Sequence, residues 1–299
     1  MLVIAGNLRL GAQGTRRAYL GSTLVFAAEQ TRWGTDFSEY TTGRPPSDWT
    51  SYSGPQTGHL ATWEVTSGGL VSRNRMRIRK TTPDPHTAQM SFFAWDGVPE
   101  AANSEVLMLV ERGGSNAIRD MFGAGLRMTL SSGTNNSGLF LGFGNIDTAR
   151  IMQRPWNNSL IRSGVHGTGG GTIPAGGTLW MRVRWDNDRF RLRSWDVDTK
   201  AEDLGLSDEP SAWQLDDTND TISTAGAIGL AFRVSNTTAA QGEVFCHYFG
   251  VGIDGDSAPS PTFAPIGAPA PIPERDTFAT FDNTAMSFDS TAHTFDEVV

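Results

Sequence analysis

The sequence predicts an all-β protein built around a β-sandwich, on three observations. The stretch Thr178–Trp195 alternates: Met181, Val183 and Trp185 interleave with Arg182 and Arg184, and after Asp186-Asn187-Asp188 the residues Phe190 and Leu192 interleave with Arg189, Arg191 and Arg193. Side chains on a strand point to opposite faces with period two, so each arm has one apolar and one arginine face, and the Asp/Asn turn joins them as an antiparallel hairpin over a core. Two more strand-like runs, 225–233 and 243–253, supply the closing half of a sandwich. Composition agrees, because 19% charged residues with 34 glycines and 15 prolines in 299 residues suit short strands and turns rather than helical bundles.

Taken in order, the chain opens with two apolar runs, 2–4 and 18–26, around Gly11, Gln13, Gly14 and Arg16-Arg17. They predict one small hairpin. A lone two-stranded hairpin is marginal in water, so it should pack on the main body or add as a strand to a neighbouring subunit. Residues 43–49, with Pro45 and Pro46, read as a loop because proline cannot donate to a ladder. Residues 63–66, 68–71, 75–79 and 87–95 read as short strands. The run 105–111 is apolar between Glu105 and Glu111, which fits a strand buried on both faces or a helical turn, and Gly113-Gly114 ends it. Residues 124–130 and 137–143 form a hairpin around 131–136. The glycine-crowded stretch 158–177 lacks Walker-type spacing and reads as a surface loop beside the arginine hairpin.

Composition then shifts. Prolines at 259, 261, 265, 269, 271 and 273 predict a semi-rigid extended spacer. Beyond it a seven-residue repeat aligns Phe281, Phe288 and Phe295, each followed by Asp. The spacing invites a coiled coil, but Thr, Ser, Asp and Asn between the phenylalanines favour short strands and turns. Such a tail holds too little apolar surface to fold alone. It either orders against a partner or a symmetry mate, or stays a disordered tail.

Several function classes lose support. A net charge of −8 argues against sequence-independent nucleic-acid binding. No apolar run approaches the 20 or so residues a membrane helix needs, so no membrane insertion is expected. The N-terminus lacks a basic region followed by a long apolar one, so no export signal is expected, and the Asn-x-Ser/Thr triplets at Asn135, Asn157, Asn219 and Asn236 read as loop chemistry. Cys246, the only cysteine, reads as a buried small hydrophobe. Lysine occurs only at Lys80 and Lys200, so basic charge is nearly all arginine. That bias suits subunit interfaces, and a GC-rich genome produces it equally.

The segment "LWMRVRWDNDRFRLRSW" followed by "AGAIGLAF" and "VFCHYFGVGIDG", with residues 36–49 near the start, resembles a concanavalin A-like, laminin-G-type jelly roll. This implies a jelly-roll β-sandwich over 31–257. Around it the expected organisation is a small N-terminal β-hairpin that anchors the chain (1–30), a Pro-rich linker (258–275) and a C-terminal short β-repeat tail (276–299). The segment "NLRLGAQGTRRAYLGSTLVF" resembles the leader of tailed-phage virion proteins. That resemblance implies a tail or fibre component located in the virion and assembled in the host cytoplasm, with other virion proteins and copies of itself as partners. It favours docking of the N-terminal hairpin on a neighbour. The expected assembly contacts are Tyr19, Leu20, Leu24, Phe26, Phe281, Phe288 and Phe295.

Chemistry is weighed against this frame. Sandwiches of the resembled type include glycoside hydrolases, which need a carboxylate pair on one face. Glu105 and Glu111 flank an apolar strand rather than line a cleft, and Asp186 with Asp188 serves a turn, so no catalytic residue is expected. The histidines (59, 86, 166, 247, 293) are scattered, and no metal site or cofactor is expected. Calcium is the exception the resemblance keeps open, with Asp186–Asp188 and Asp216–Asp220 as hard oxygen donors. Glycan binding needs exposed aromatic rings with polar groups beside them. The candidates are Trp49, Trp95, Trp156 and Trp213, while Trp180, Trp185 and Trp195 read as core. Arg182, Arg184, Arg191 and Arg193 offer contacts to an acidic polysaccharide or to a neighbour's carboxylates, or else form a solvated face paired with local Asp and Glu. The function expected is a non-enzymatic virion protein whose lectin-like sandwich meets host surface polysaccharide. The alternatives are a capsid decoration or neck protein without a ligand, and a polysaccharide-degrading enzyme.

Overall fold

A computed structural model describes residues 9–10, 13–14, 17–20, 23–27, 30–53, 61–80, 91–113, 120–129, 138–144, 148–153, 159–165, 176–218, 224–234 and 242–263. The chain divides into two compact units, one of them Thr31–Pro271 and the other taking in Met1–Gln30 and Ile272–Val299. In the latter, β1 (Arg9–Leu10) pairs antiparallel with β2 (Gln13–Gly14), and β3 (Arg17–Leu20) with β4 (Thr23–Ala27). The run 18–26, expected to form one arm of a hairpin, supplies both arms of β3–β4. Leu20 faces Thr23 in that register.

The larger unit contains β5 (Arg32–Thr35), β6 (Trp49–Ser53), β7 (Thr62–Ser67), β8 (Asn74–Lys80), β9 (Ser91–Trp95), β10 (Ser104–Arg112), β11 (Asp120–Met128) and β12 (Leu139–Gly144). It continues with β13 (Thr148–Gln153), β14 (Ser159–Val165), β15 (Thr178–Asp186), β16 (Arg189–Asp196), β17 (Leu215–Thr218), β18 (Ala227–Val234) and β19 (Gly242–Ile253). These strands make two antiparallel sheets. The first runs β17-β16-β15-β10-β19-β8-β7, with β5 also on β19, and the second runs β14-β13-β12-β11-β18-β9-β6. The chain passes between sheets repeatedly, from β5 to β6, β6 to β7, β8 to β9, β9 to β10, β10 to β11, β14 to β15, β17 to β18 and β18 to β19. This is an antiparallel β-sandwich of jelly-roll type, the all-β class the alternating hairpin predicts.

The core lies between the sheets. Val106, Met108 and Val110 of β10, Met181, Val183 and Trp185 of β15, and Phe190 and Leu192 of β16 face Phe93, Phe122, Leu141, Phe143, Leu230 and Phe232 of the second sheet. Each fully buried side chain of this size contributes about 1.5–3 kcal/mol. The other face of β10 is buried too, as its sequence predicts. Leu107 and Leu109 pack with Trp180, Trp195, Tyr248 and Ala258, against which Leu204, Leu206 and Phe263 rest. Both outward indoles donate to one strained turn: Trp180 Nε1 to Leu204 O at 3.0 Å and Trp195 Nε1 to Gly205 O at 2.9 Å, where Leu204 (φ 55°) and Gly205 (φ 73°) are left-handed.

Some expectations change. Residues 68–71 are a turn, because Gly68 (φ 91°) reverses the chain and its N–H bonds Arg73 O at 2.9 Å, closing the β7–β8 hairpin. Within the expected loop 158–177, Ser159–Val165 is strand β14, paired with β13. The segment expected to begin a spacer at 258 lies along the outer face as far as Phe263, held where Tyr248 Oη donates to Pro259 O at 2.6 Å. The rest of that segment and the repeat tail lie outside the described residues.

Candidate functional site

Inward placement of Met181, Val183, Phe190 and Leu192 sends Arg182, Arg184, Arg191 and Arg193 to the outer face of the first sheet. Most of them meet carboxylates there. Arg182 is the hub. Its Nε and Nη2 donate to Glu209 Oε1 and Oε2 at 2.6 and 2.9 Å, and its Nη1 donates to Glu105 Oε1. Glu105 on β10 stands opposite Arg184 in register, which brings Arg184 Nη1 to 3.4 Å from Glu105 Oε2. The Ala258 N–H adds a bond of 3.1 Å to Glu105. Glu105 is 3% and Arg182 9% exposed, so this is a buried network. Burial alone would lower the Arg182 pKa, but Glu209 and Glu105 outweigh it and leave the guanidinium raised.

Beyond this network the outer face carries an aromatic ring. Trp213 is half-buried, with Arg193 Cζ 4.3 Å and Arg191 Cζ 5.0 Å from its ring centroid. The neighbouring Gln214 holds it in place by behaving as one more residue of a paired strand. Gln214 N donates to Leu192 O at 3.0 Å, Gln214 Nε2 to Ser194 O at 2.8 Å, and Ser194 N to Gln214 Oε1 at 2.9 Å. Arg193 is further held by Glu209 and by donation to Pro210 O at 2.8 Å.

The structure therefore brings together Trp213, Arg191 and Arg193, and absorbs Arg182 and Arg184 into ion pairs. Trp49 and Trp95 do not serve as exposed platforms. They are 4% and 7% exposed and stack on each other at 5.3 Å, edge-on to Phe249, because the ends of β6 and β9 still face the core. Trp180, Trp185 and Trp195 are buried as expected. Trp156 lies outside the described residues, as do Phe281, Phe288 and Phe295. Tyr19 faces Leu24 across β3–β4, with Leu20 and Phe26 on the same pair of strands. Sequence reasoning missed Glu105 and Glu209 as arginine partners. The signal lay in the match between an acidic end on 105–111 and an arginine face on 178–185, legible only once their register is known.

The proposed calcium donors do not suit a cation. Asp186 lies 3.6 Å from Arg184, and Asp216 accepts two hydrogen bonds from Arg189, which holds its carboxyl below the usual range. Asn219 and Asp220 lie outside the described residues, and among the described ones no group of three or more His, Cys, Asp or Glu is arranged to hold a metal. No helix is long and apolar enough to cross a membrane among the described residues. Two further groups are buried. The Cys246 thiol is pushed well up by burial. His247, the extra residue where the β10–β19 register shifts, accepts from Leu70 N–H at Nδ1 (3.1 Å), so Nε2 carries the proton toward Glu111 at 3.0 Å. Arg75 also binds Glu111, at 2.6 Å. Both carboxylates that end the apolar strand β10 are thus engaged by cationic or imidazole partners.

No family model and no curated protein matches the chain. Solved structures do resemble it. Lectin II from Ulex europaeus is 8% identical over 75% of this chain and 99% of its own, with a TM-score of 0.47. A Bacillus licheniformis beta-glucanase is 10% identical over 75% of this chain and 99% of its own, also at 0.47. A carbohydrate binding module from Bacillus subtilis is 14% identical over 66% and 91%, at 0.40.

Proposed function

We propose that this chain is a non-enzymatic structural component of a tailed-phage virion, probing the host surface with a glycan-binding sandwich. The observation that carries the binding reading is Trp213. It is a half-buried ring, set on the outer face by Gln214 and backed by two guanidinia, so a flat apolar surface lies beside polar donors. Tight positioning by neighbours is what keeps such a platform ready for a ligand without ordering costs on binding. The non-enzymatic reading is supported by the engagement of Glu105 and Glu111 in ion pairs and hydrogen bonds. The virion reading is supported by the N-terminal segment's likeness to phage leader sequences.

Two experiments test it. A glycan array probed with the full chain and with Trp213→Ala should show at least one saccharide whose binding falls tenfold or more in the variant, equivalent to about 1.4 kcal/mol. Absence of any saccharide binding removes the ligand role. Mass spectrometry of purified phage particles should find the chain at a fixed copy number, and its absence removes the virion role.

A further inference from the structure

We infer that the ligand of this face is an anionic saccharide, with Arg191 taking its acidic group and Trp213 carrying the sugar ring. The inference rests on the glycan-binding reading and narrows it to one chemical class. Among the described residues of the outer face around the arginine hairpin, four of five guanidinia make ion pairs with carboxylates. Arg182 takes Glu105 and Glu209, Arg184 takes Glu105 and Asp186, Arg189 takes Asp216, and Arg193 takes Glu209. Arg191 is left over. Its register partner across β16–β17 is Asp216, but both oxygens of that carboxylate are bonded by Arg189 at 2.6 and 2.5 Å. Among the described residues Arg191 makes no ion pair, and its buried Nε has no acceptor.

A guanidinium without an ion-pair partner thus lies beside the aromatic platform. Its donors lie in a fork that matches a carboxylate or sulfate, and bonds to such a group are charge-assisted and roughly twice as strong as neutral ones. The ring contributes in the same direction. Cations at 4.3 and 5.0 Å draw its π electrons toward themselves, which makes the remainder of the ring less repulsive to an anionic sugar lying on it. A neutral sugar would use the ring and leave Arg191 without an ion-pair partner.

The test is calorimetric titration of the full chain with a matched panel: uronate oligosaccharides, their methyl esters, and sulfated oligosaccharides of the same length. At least one anionic series should bind tenfold or more tighter than the neutral ester, with the advantage shrinking as salt rises, and the series that binds identifies the acidic group. Arg191→Gln should lower that affinity tenfold or more without changing the melting temperature, and Arg191→Lys should restore part of it. Equal binding of acid and ester, with both lost in Trp213→Ala, overturns the anionic inference and leaves the glycan reading standing. Binding of no saccharide overturns both. Self-association of the chain that Arg191→Gln abolishes assigns the face to a protein partner, and that also overturns the inference.

Discussion

Replacing Arg182 by methionine should be among the most damaging single changes on the outer face of this sandwich. The guanidinium is 9% exposed and satisfies two carboxylates at once, Glu209 through two hydrogen bonds of 2.6 and 2.9 Å and Glu105 through a third. Methionine keeps most of the apolar stem but leaves Glu105, only 3% exposed, with Arg184 at 3.4 Å and the Ala258 N–H as its remaining partners. Removing one partner of a buried ion pair costs about 3–5 kcal/mol, because the other charge stays buried and uncompensated. For a domain of this size that is a fall in Tm of roughly 6–20 °C. Removing Glu105 instead, as Gln, should cost less, about 1–2 kcal/mol, since Arg182 retains its paired bonds to Glu209. The double variant Arg182→Met with Glu105→Gln should be better than the sum of the two by about 2–3 kcal/mol, because it removes both charges together. Urea unfolding followed by tryptophan fluorescence measures all three, with Trp180 and Trp195 on the same face as reporters. A loss below 1 kcal/mol for Arg182→Met, or strict additivity in the cycle, would show that the network is not coupled and would refute the reasoning.

Two further changes probe other parts of the body. Burial holds His247 below the ordinary imidazole range, against the opposing pull of Glu111, so the folded state binds its proton less readily than the unfolded one. Stability should therefore be full above about pH 6.5 and fall on acidification by up to about 1.4 kcal/mol per pH unit, a slope that His247→Gln removes between pH 6.5 and 5. Below that window Glu111 takes over. Burial alone would raise its pKa, but bonds from His247 and Arg75 leave it lowered, so its contribution is lost as pH falls below its usual value of 4.5. Identical urea midpoints for wild type and His247→Gln across the window would count against this assignment. Gly125→Ala should cost about 1–3 kcal/mol, because a Cβ there would lie 2.5 Å from the ring of the fully buried Phe92. A melting temperature unchanged by that substitution would mean that the ring can move aside.

The sequence by itself determined what depends on local period. Strict alternation in 178–195 set both strands, their turn and which residues face the core, since a strand offers only two sides. The apolar run 105–111 fitted a strand buried on both faces or a helical turn, and the structure makes it the strand, whereas the strand expected at 68–71 is a turn. The strands at 32–35, 49–53, 148–153, 159–165 and 215–218 went unread; those at 49–53, 159–165 and 215–218 are sheet edges, where mixed polar side chains carry little periodic signal. Tertiary structure alone decided which charges answer which. Glu105 reaches Arg182 and Arg184 across a β10–β15 register, and Glu209 comes from a loop 27 residues away from Arg182, so no local pattern could pair them. For the same reason four tryptophans that looked alike in sequence parted ways: Trp49 and Trp95 went into the core, Trp156 lies outside the described residues, and Trp213 came to rest against Arg191 and Arg193. Burial and charge balance are sums over neighbours distant in the chain, and only folding assembles those neighbours.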